Sequence, residues 1–101
     1  MQPKQTIKMA SIKNLKKDLN YLIDEVIGTC MIHQYTQKDK HEELDKIIDE
    51  MIEFREKMII RINNPEVNEN GQNLRNYYRT LFDELLEKVN GAFDKLNEIA
   101  G

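Results

Sequence analysis

The stretch from Leu44 to Ile62, LDKIIDEMIEFREKMIIRI, decides the fold of this chain. Its residues recur on one side at alternating intervals of four and three, which is the spacing of one face of an α-helix. The positions of this seam are Leu44, Ile48, Met51, Arg55, Met58 and Ile62. The stretch therefore predicts an amphipathic helix that packs along its whole length against other helices.

Two further segments repeat the same periodicity, so the sequence predicts helices over about residues 11–35, 39–63 and 73–99. The three are similar in length, and a connection as short as Tyr35–Lys38 makes the first two antiparallel neighbours. Thr36 or Asp39 is expected to cap the second helix. We therefore predict an all-α fold, an up-down-up three-helix bundle of long antiparallel helices, forming a single domain over residues 1–101.

Apolar stripes on the first and third helices supply the rest of the predicted core. On the first helix the stripe is Ile12, Leu15, Leu19, Leu22, Ile23, Val26, Ile27, Cys30 and Met31. On the third it is Leu74, Tyr78, Leu81, Phe82, Leu85, Val89, Ala92, Phe93, Leu96 and Ile99.

Composition limits the classes of protein to which the chain could belong. Hydrophobic residues make up 40% and charged residues 33% of the 101 residues, which is typical of a water-soluble, helix-rich domain. No stretch reaches the ~20 apolar residues that a membrane span requires. The first residues lack the apolar block of a secretory signal, and the lone Cys30 fits a reducing compartment. We therefore expect a cytoplasmic protein.

Residues 1–10 form a basic arm that continues into the first helix. Five lysines precede the first acid, Asp18, which leaves residues 18–101 with a net charge of −8. Such an arm could make weak contact with nucleic acid. The overall charge of −3 and the absence of aromatic residues among the lysines disfavour that interpretation.

Arg55 is the one charged residue among the six positions of the seam, and it lies near the centre of the apolar face. In the predicted bundle it lies level with Asn20 on the first helix and with Tyr77 and Glu84 on the third. One interpretation is an ion pair, with Glu84 or Asn20 as the partner. The other is a cleft in which Arg55, Asn20, Tyr77 and Glu84 bind a small anionic ligand.

Other chemistry has little support in the sequence. Cys30, His33, His41 and Glu98 could meet at one end of the bundle, but their spacing is unlike that of recognised zinc sites. There is no glycine-rich phosphate loop and no concentrated set of nucleophile and base. We therefore predict no enzyme activity, no metal site and no cofactor.

The outer face of the first helix offers a place for another chain. Gly28 falls far from the centre of the apolar stripe, and Tyr21 and Ile32 share its face. The apolar faces of the second and third helices are also broader than a minimal core stripe needs, and Ile60 projects from the polar side. These features predict a non-enzymatic helical protein-interaction module whose partner is another protein or, as a homodimer, a second copy of the chain.

Overall fold

In the computed structural model, which describes residues 12–65 and 72–100, three long helices form the predicted all-α bundle. Helix α1 spans Ile12–Thr36, α2 spans His41–Asn63 and α3 spans Gln72–Ala100, with a 3-10 turn at Lys38–Lys40 between the first two. These bounds lie within two residues of those predicted for all three helices. The basic arm at residues 1–10 lies outside the described residues.

Polar contacts between the helices define an antiparallel register. Gln34 donates to the Asp45 carboxylate at 2.7 Å, and Arg55 donates to Asp24 at 3.5 Å. A step of ten residues towards the N-terminus of α1 therefore corresponds to a step of ten residues towards the C-terminus of α2. Arg61 with Glu84 and Glu50 with Lys95 relate α2 to α3 in the same way. Helices α1 and α3 therefore run parallel, which confirms the up-down-up arrangement.

One face of each helix supplies the core. Its fully or nearly buried members are Leu15, Leu19, Ile23, Val26, Cys30, Leu44, Ile47, Met51, Met58, Ile62, Tyr78, Leu81, Leu85, Val89, Ala92 and Leu96. Two residues assigned to the stripes, Met31 and Leu74, are instead exposed. Met31 follows the buried Cys30 and is turned about 100° away from it around α1, which carries its side chain out of the core.

The buried seam of α2 differs from the predicted one at two positions. Ile47 is buried where Ile48 was expected, and Ile48 is only partly covered. Arg55 does not sit at the centre of the apolar face, because its side chain lies on the flank beside α1 and is 29% exposed. The guanidinium therefore avoids the desolvation that a central position would impose.

The reversal between α1 and α2 lies later in the chain than expected. Helix α1 continues through Thr36, whose hydroxyl donates to the carbonyls of Ile32 and His33 within its own helix. The N-cap residue, which directly precedes α2, is Lys40, and it makes no side-chain capping bond. The prediction that Thr36 or Asp39 caps α2 is therefore wrong, and the later reversal shifts the register between the two helices.

Candidate interaction surface

Arg55 contacts a different partner from the two that were expected. Its Nη1 lies 3.5 Å from the Asp24 carboxylate, one helical turn further along α1 than Asn20. Asp24 is 69% exposed, so water screens this pair and its contribution to stability is small. The predicted pairing with Asn20 or Glu84 is wrong because the reversal lies closer to α2 than the sequence indicated.

Glu84 and Tyr77 are both engaged with Arg61. Arg61 donates through Nη1 at 2.6 Å and Nη2 at 3.2 Å to the two carboxylate oxygens of Glu84. The Tyr77 hydroxyl donates to the Arg61 carbonyl at 2.8 Å. The hydrogen bond from Arg61 holds the pKa of Glu84 below its usual value, and the same bond raises the pKa of Arg61.

The four residues proposed for an anion cleft therefore belong to two separate places. Arg55 lies beside Asp24 and α1, whereas Tyr77 and Glu84 lie beside Arg61. Arg55 and Arg61 are six positions apart on α2, which places their side chains about 120° apart around the helix. Asn20 is exposed on α1.

A shallow groove of about 410 Å³ runs between α2 and α3. Phe54 and Ala92 line it, and Glu50 crosses it to reach Lys95 at 3.2 Å and Lys88 at 4.0 Å. A second groove of about 240 Å³ shares Glu50 and Lys95 with the first. Because Glu50 already pairs with both lysines, an anion entering here would have to displace a carboxylate. Arg55 lines neither groove.

The residues considered for metal binding do not form a metal site in the described part of the chain, where no group of three or more His, Cys, Asp or Glu is suitably placed. His41 instead pairs with Asp45, at 3.4 Å. Cys30 is fully buried, and this burial raises the pKa of its thiol to about 11. A buried thiol that stays protonated is a poor nucleophile and a poor metal ligand.

The outer strip of α1, which we define as Tyr21, Gly28, Met31, Ile32 and Tyr35, holds four of the seven large apolar side chains that are exposed among the described residues. Tyr21 is 64% exposed, Met31 58%, Ile32 65% and Tyr35 79%. Gly28 follows Tyr21 by seven residues, Met31 and Ile32 follow Gly28 by three and four, and Tyr35 follows those two by four and three. At 100° per residue the five positions lie within about 100° of one another, on the side of α1 that faces away from the bundle. The strip is about 21 Å long, measured at 1.5 Å per residue.

Gly28 lies at the middle of the outer strip. A Cβ atom built on this glycine would meet no heavy atom within 4 Å, apart from its own helical backbone. Packing inside the described bundle therefore does not explain why glycine, which weakens a helix by about 1 kcal/mol relative to alanine, occupies this position.

Sequence reasoning identified Tyr21, Gly28 and Ile32 on this face but missed Met31 and Tyr35. Met31 was assigned to the core, and Tyr35 to the connection after the first helix. The signal for Tyr35 is its separation of fourteen residues from Tyr21, which is two heptads and returns to nearly the same side of a helix. A helix extended to Thr36 would have placed Tyr35 on the strip.

Among the described residues, no helix has an apolar stretch sufficient to cross a lipid bilayer. Comparisons with protein-family models, with curated proteins and with solved structures give no match to this chain.

Proposed function

We propose that this chain is a helical protein-interaction module without catalytic function, and that it self-associates through the outer strip of α1. The single observation that carries the proposal is the exposure of Tyr21, Met31, Ile32 and Tyr35 on one face of a helix. An apolar surface of this kind is typical of a contact site for another chain, because its burial releases ordered water.

The aromatic content of the strip supports the same proposal. Tyrosine and methionine are enriched at the centres of protein interfaces, where rigid rings supply contact area at a low entropic cost. The strip also contains two of the four tyrosines of the chain. By contrast, ion pairs between Glu50 and two lysines cross the α2–α3 groove, so another chain could enter it only by breaking them.

The proposal also includes the statement that the chain catalyses no reaction. Its support is the protonated, buried state of Cys30 and the pairing of Glu84 with Arg61, which leave neither group available as a nucleophile or base. The buried free thiol also supports a location in the cytoplasm, where thiols remain reduced.

Sedimentation equilibrium over concentrations from ~1 µM to ~1 mM tests the proposal, because a contact surface formed by one helix face gives a weak, concentration-dependent dimer. The decisive variants are Ile32→Gln and Ile60→Gln. The two isoleucines are matched, since Ile32 is 65% exposed on the outer strip and Ile60 is 59% exposed on α2. Neither change should unfold the protein.

We expect Ile32→Gln to raise the dissociation constant of the dimer about tenfold, and Ile60→Gln to leave it within about twofold of wild type. A monomer at every concentration would overturn the proposal. So would an unchanged dissociation constant in Ile32→Gln, since that result would place the contact away from the outer strip of α1.

A further inference from the structure

We propose that Met31 is a site of reversible oxidation by a peroxide, and that the resulting sulfoxide weakens association through the outer strip. The oxidation site stands on the burial of the sulfur-bearing side chains. The effect on association rests on the proposed function, since it requires the outer strip to be the contact surface.

The sulfur-bearing side chains of the described residues occupy two different environments. Met51 is 0% and Met58 1% exposed on the buried face of α2, and Cys30 is 0% exposed on α1. Met31 is 58% exposed, although it directly follows Cys30 along the same helix. Within the part of the chain that the structure describes, only Met31 therefore presents its thioether to a reagent dissolved in water.

Oxidation of a thioether requires direct contact between the sulfur and the oxidant. A lone pair of the sulfur attacks one oxygen of hydrogen peroxide, so an S–O bond forms as the O–O bond breaks. The sulfur loses two electrons, and the second oxygen leaves with them and takes the proton of the first. The products are methionine sulfoxide and water. Reductases that draw two electrons from thiols return the sulfoxide to methionine and release water, so the modification is reversible.

The other three sulfur-bearing side chains are protected by the fold. Peroxides react with a thiolate, and burial raises the pKa of the Cys30 thiol to about 11, so the thiol stays protonated at neutral pH. Met51 and Met58 react only when the core opens, because a polar sulfoxide is costly to bury among the apolar side chains around them. Met31 is therefore modified while the bundle stays folded.

A sulfoxide at Met31 changes the character of the outer strip. Met31 lies between Gly28 and Tyr35 along α1 and next to Ile32, so it belongs to the middle of the apolar surface. The new oxygen accepts hydrogen bonds from water, and a chain that covers the strip has to remove that water. Oxidation therefore disfavours the associated state.

The same coupling acts in the opposite direction, because linkage between two equilibria is reciprocal. A second copy that covers the outer strip keeps peroxide away from the Met31 sulfur. Oxidation then takes place on the dissociated chain and removes it from the association equilibrium. The outer strip is thereby a surface whose affinity responds to the oxidant.

Peptide mass spectrometry after treatment with hydrogen peroxide tests the site. At ~1 µM protein, where the monomer dominates, we expect Met31 to be oxidised at least about tenfold faster than Met51 and Met58, which depend on opening of the core. Each peptide reports its own methionine, so Met1 and Met9, which lie outside the described residues, do not affect this comparison. The helical circular dichroism should be unchanged when Met31 is fully oxidised. Equal rates at the three positions would overturn the inference.

Sedimentation equilibrium of the oxidised protein tests the effect on association. We expect the sulfoxide to raise the dissociation constant about tenfold, and Met31→Gln to do the same without oxidant, because both place a polar group in the strip. Met31→Leu is the matched control, since it keeps an apolar side chain and retains every other methionine. Its dissociation constant should stay within about twofold of wild type before and after peroxide treatment. A shift as large as that of oxidised wild type would place the responsible oxidation elsewhere and overturn the inference.

Failure of the inference and failure of the proposed function give different results. Suppose that Met31 is oxidised selectively and the dissociation constant does not change, while Ile32→Gln still weakens the dimer. The outer strip then remains the contact surface, and its regulation by oxidation is overturned. A monomer at every concentration overturns the proposed function together with the regulation, and the peptide analysis alone then decides whether Met31 is the oxidised site.

Discussion

The hydroxyl of Tyr78 on α3 donates a hydrogen bond of 2.9 Å to the carbonyl of Ile62 in the last turn of α2. The last four carbonyls of a helix have no partner within the helix, so side chains or water must satisfy them. Tyr77 makes the equivalent bond to the Arg61 carbonyl at 2.8 Å. Two consecutive tyrosines therefore attach the end of α2 to α3.

Replacement of Tyr78 by phenylalanine should lower the free energy of unfolding by about 1 kcal/mol. The side chain is only 5% exposed, so water cannot readily replace the lost hydroxyl at the Ile62 carbonyl. Tyr77→Phe is the matched control, because it removes the same group from a half-buried ring and should cost less. Urea denaturation measures both values. A Tyr78→Phe protein as stable as wild type would show that the bond contributes nothing.

Arg61 and Glu84 form the second attachment between these helices, and it should depend on pH. Because Arg61 lowers the pKa of Glu84 in the folded state, the stabilisation is complete above the ordinary glutamate pKa of 4.5. It disappears as the pH falls through the lower, folded-state value. Both side chains are more than one-third exposed, so the full effect should be under about 1 kcal/mol.

Urea denaturation of wild type and Glu84→Gln across pH 2–7 checks this prediction. Wild type should be more stable at pH 7, and the difference should disappear at the acid end of the range, where Glu84 is protonated. Glu87→Gln, a change at an exposed acid one turn away on α3, is the control and should follow wild type throughout. A difference that persists unchanged to the lowest pH would contradict the assigned ion pair.

Arg55→Met should leave stability within about 0.5 kcal/mol of wild type or increase it slightly. The guanidinium lies 3.5 Å from an exposed carboxylate, and methionine replaces the arginine stem with an unbranched apolar side chain. Thermal unfolding followed by circular dichroism measures the change. A loss of 2 kcal/mol or more would mean that Arg55 makes a desolvated pair like those of a buried network.

The burial of Leu44 was predictable from the sequence, whereas the partner of Arg55 was not. Leu44 belongs to a long periodic pattern, and periodicity over six turns determines which face is buried, so the bundle and most of its core were predictable. Arg55 depended on register. A reversal displaced by a few residues moved its neighbour from Asn20 to Asp24, because antiparallel register follows from the geometry of the connecting turn.

The outer strip was predictable in part for the same reason. Tyr21 and Ile32 lie in the middle of α1, where the helical wheel applies without ambiguity. Tyr35 lies at the predicted end of the first helix, and helix ends are the least certain feature of a sequence-based assignment. The tyrosine bonds to Arg61 and Ile62 were beyond prediction, since they depend on the distance between two helix surfaces rather than on any repeat.

Gly28→Ala and Gly91→Ala should each raise the free energy of unfolding by about 0.5–1 kcal/mol in dilute solution, where the monomer dominates. Both glycines lie inside long helices, and a Cβ at either would meet nothing within 4 Å, so the gain in helix propensity is not offset by a clash. Urea denaturation at ~1 µM protein measures the two effects, which should add in the double variant because the sites lie on different helices.

The two glycines should then differ in association. The added methyl group at Gly28 lies in the outer strip and should weaken the dimer, whereas the one at Gly91 lies beside the α2–α3 groove and should not. Sedimentation at high concentration separates these effects from monomer stability. If both alanine variants stabilise the monomer equally and neither changes the dissociation constant, close backbone approach at Gly28 is not what holds the copies together, and the glycine needs another explanation.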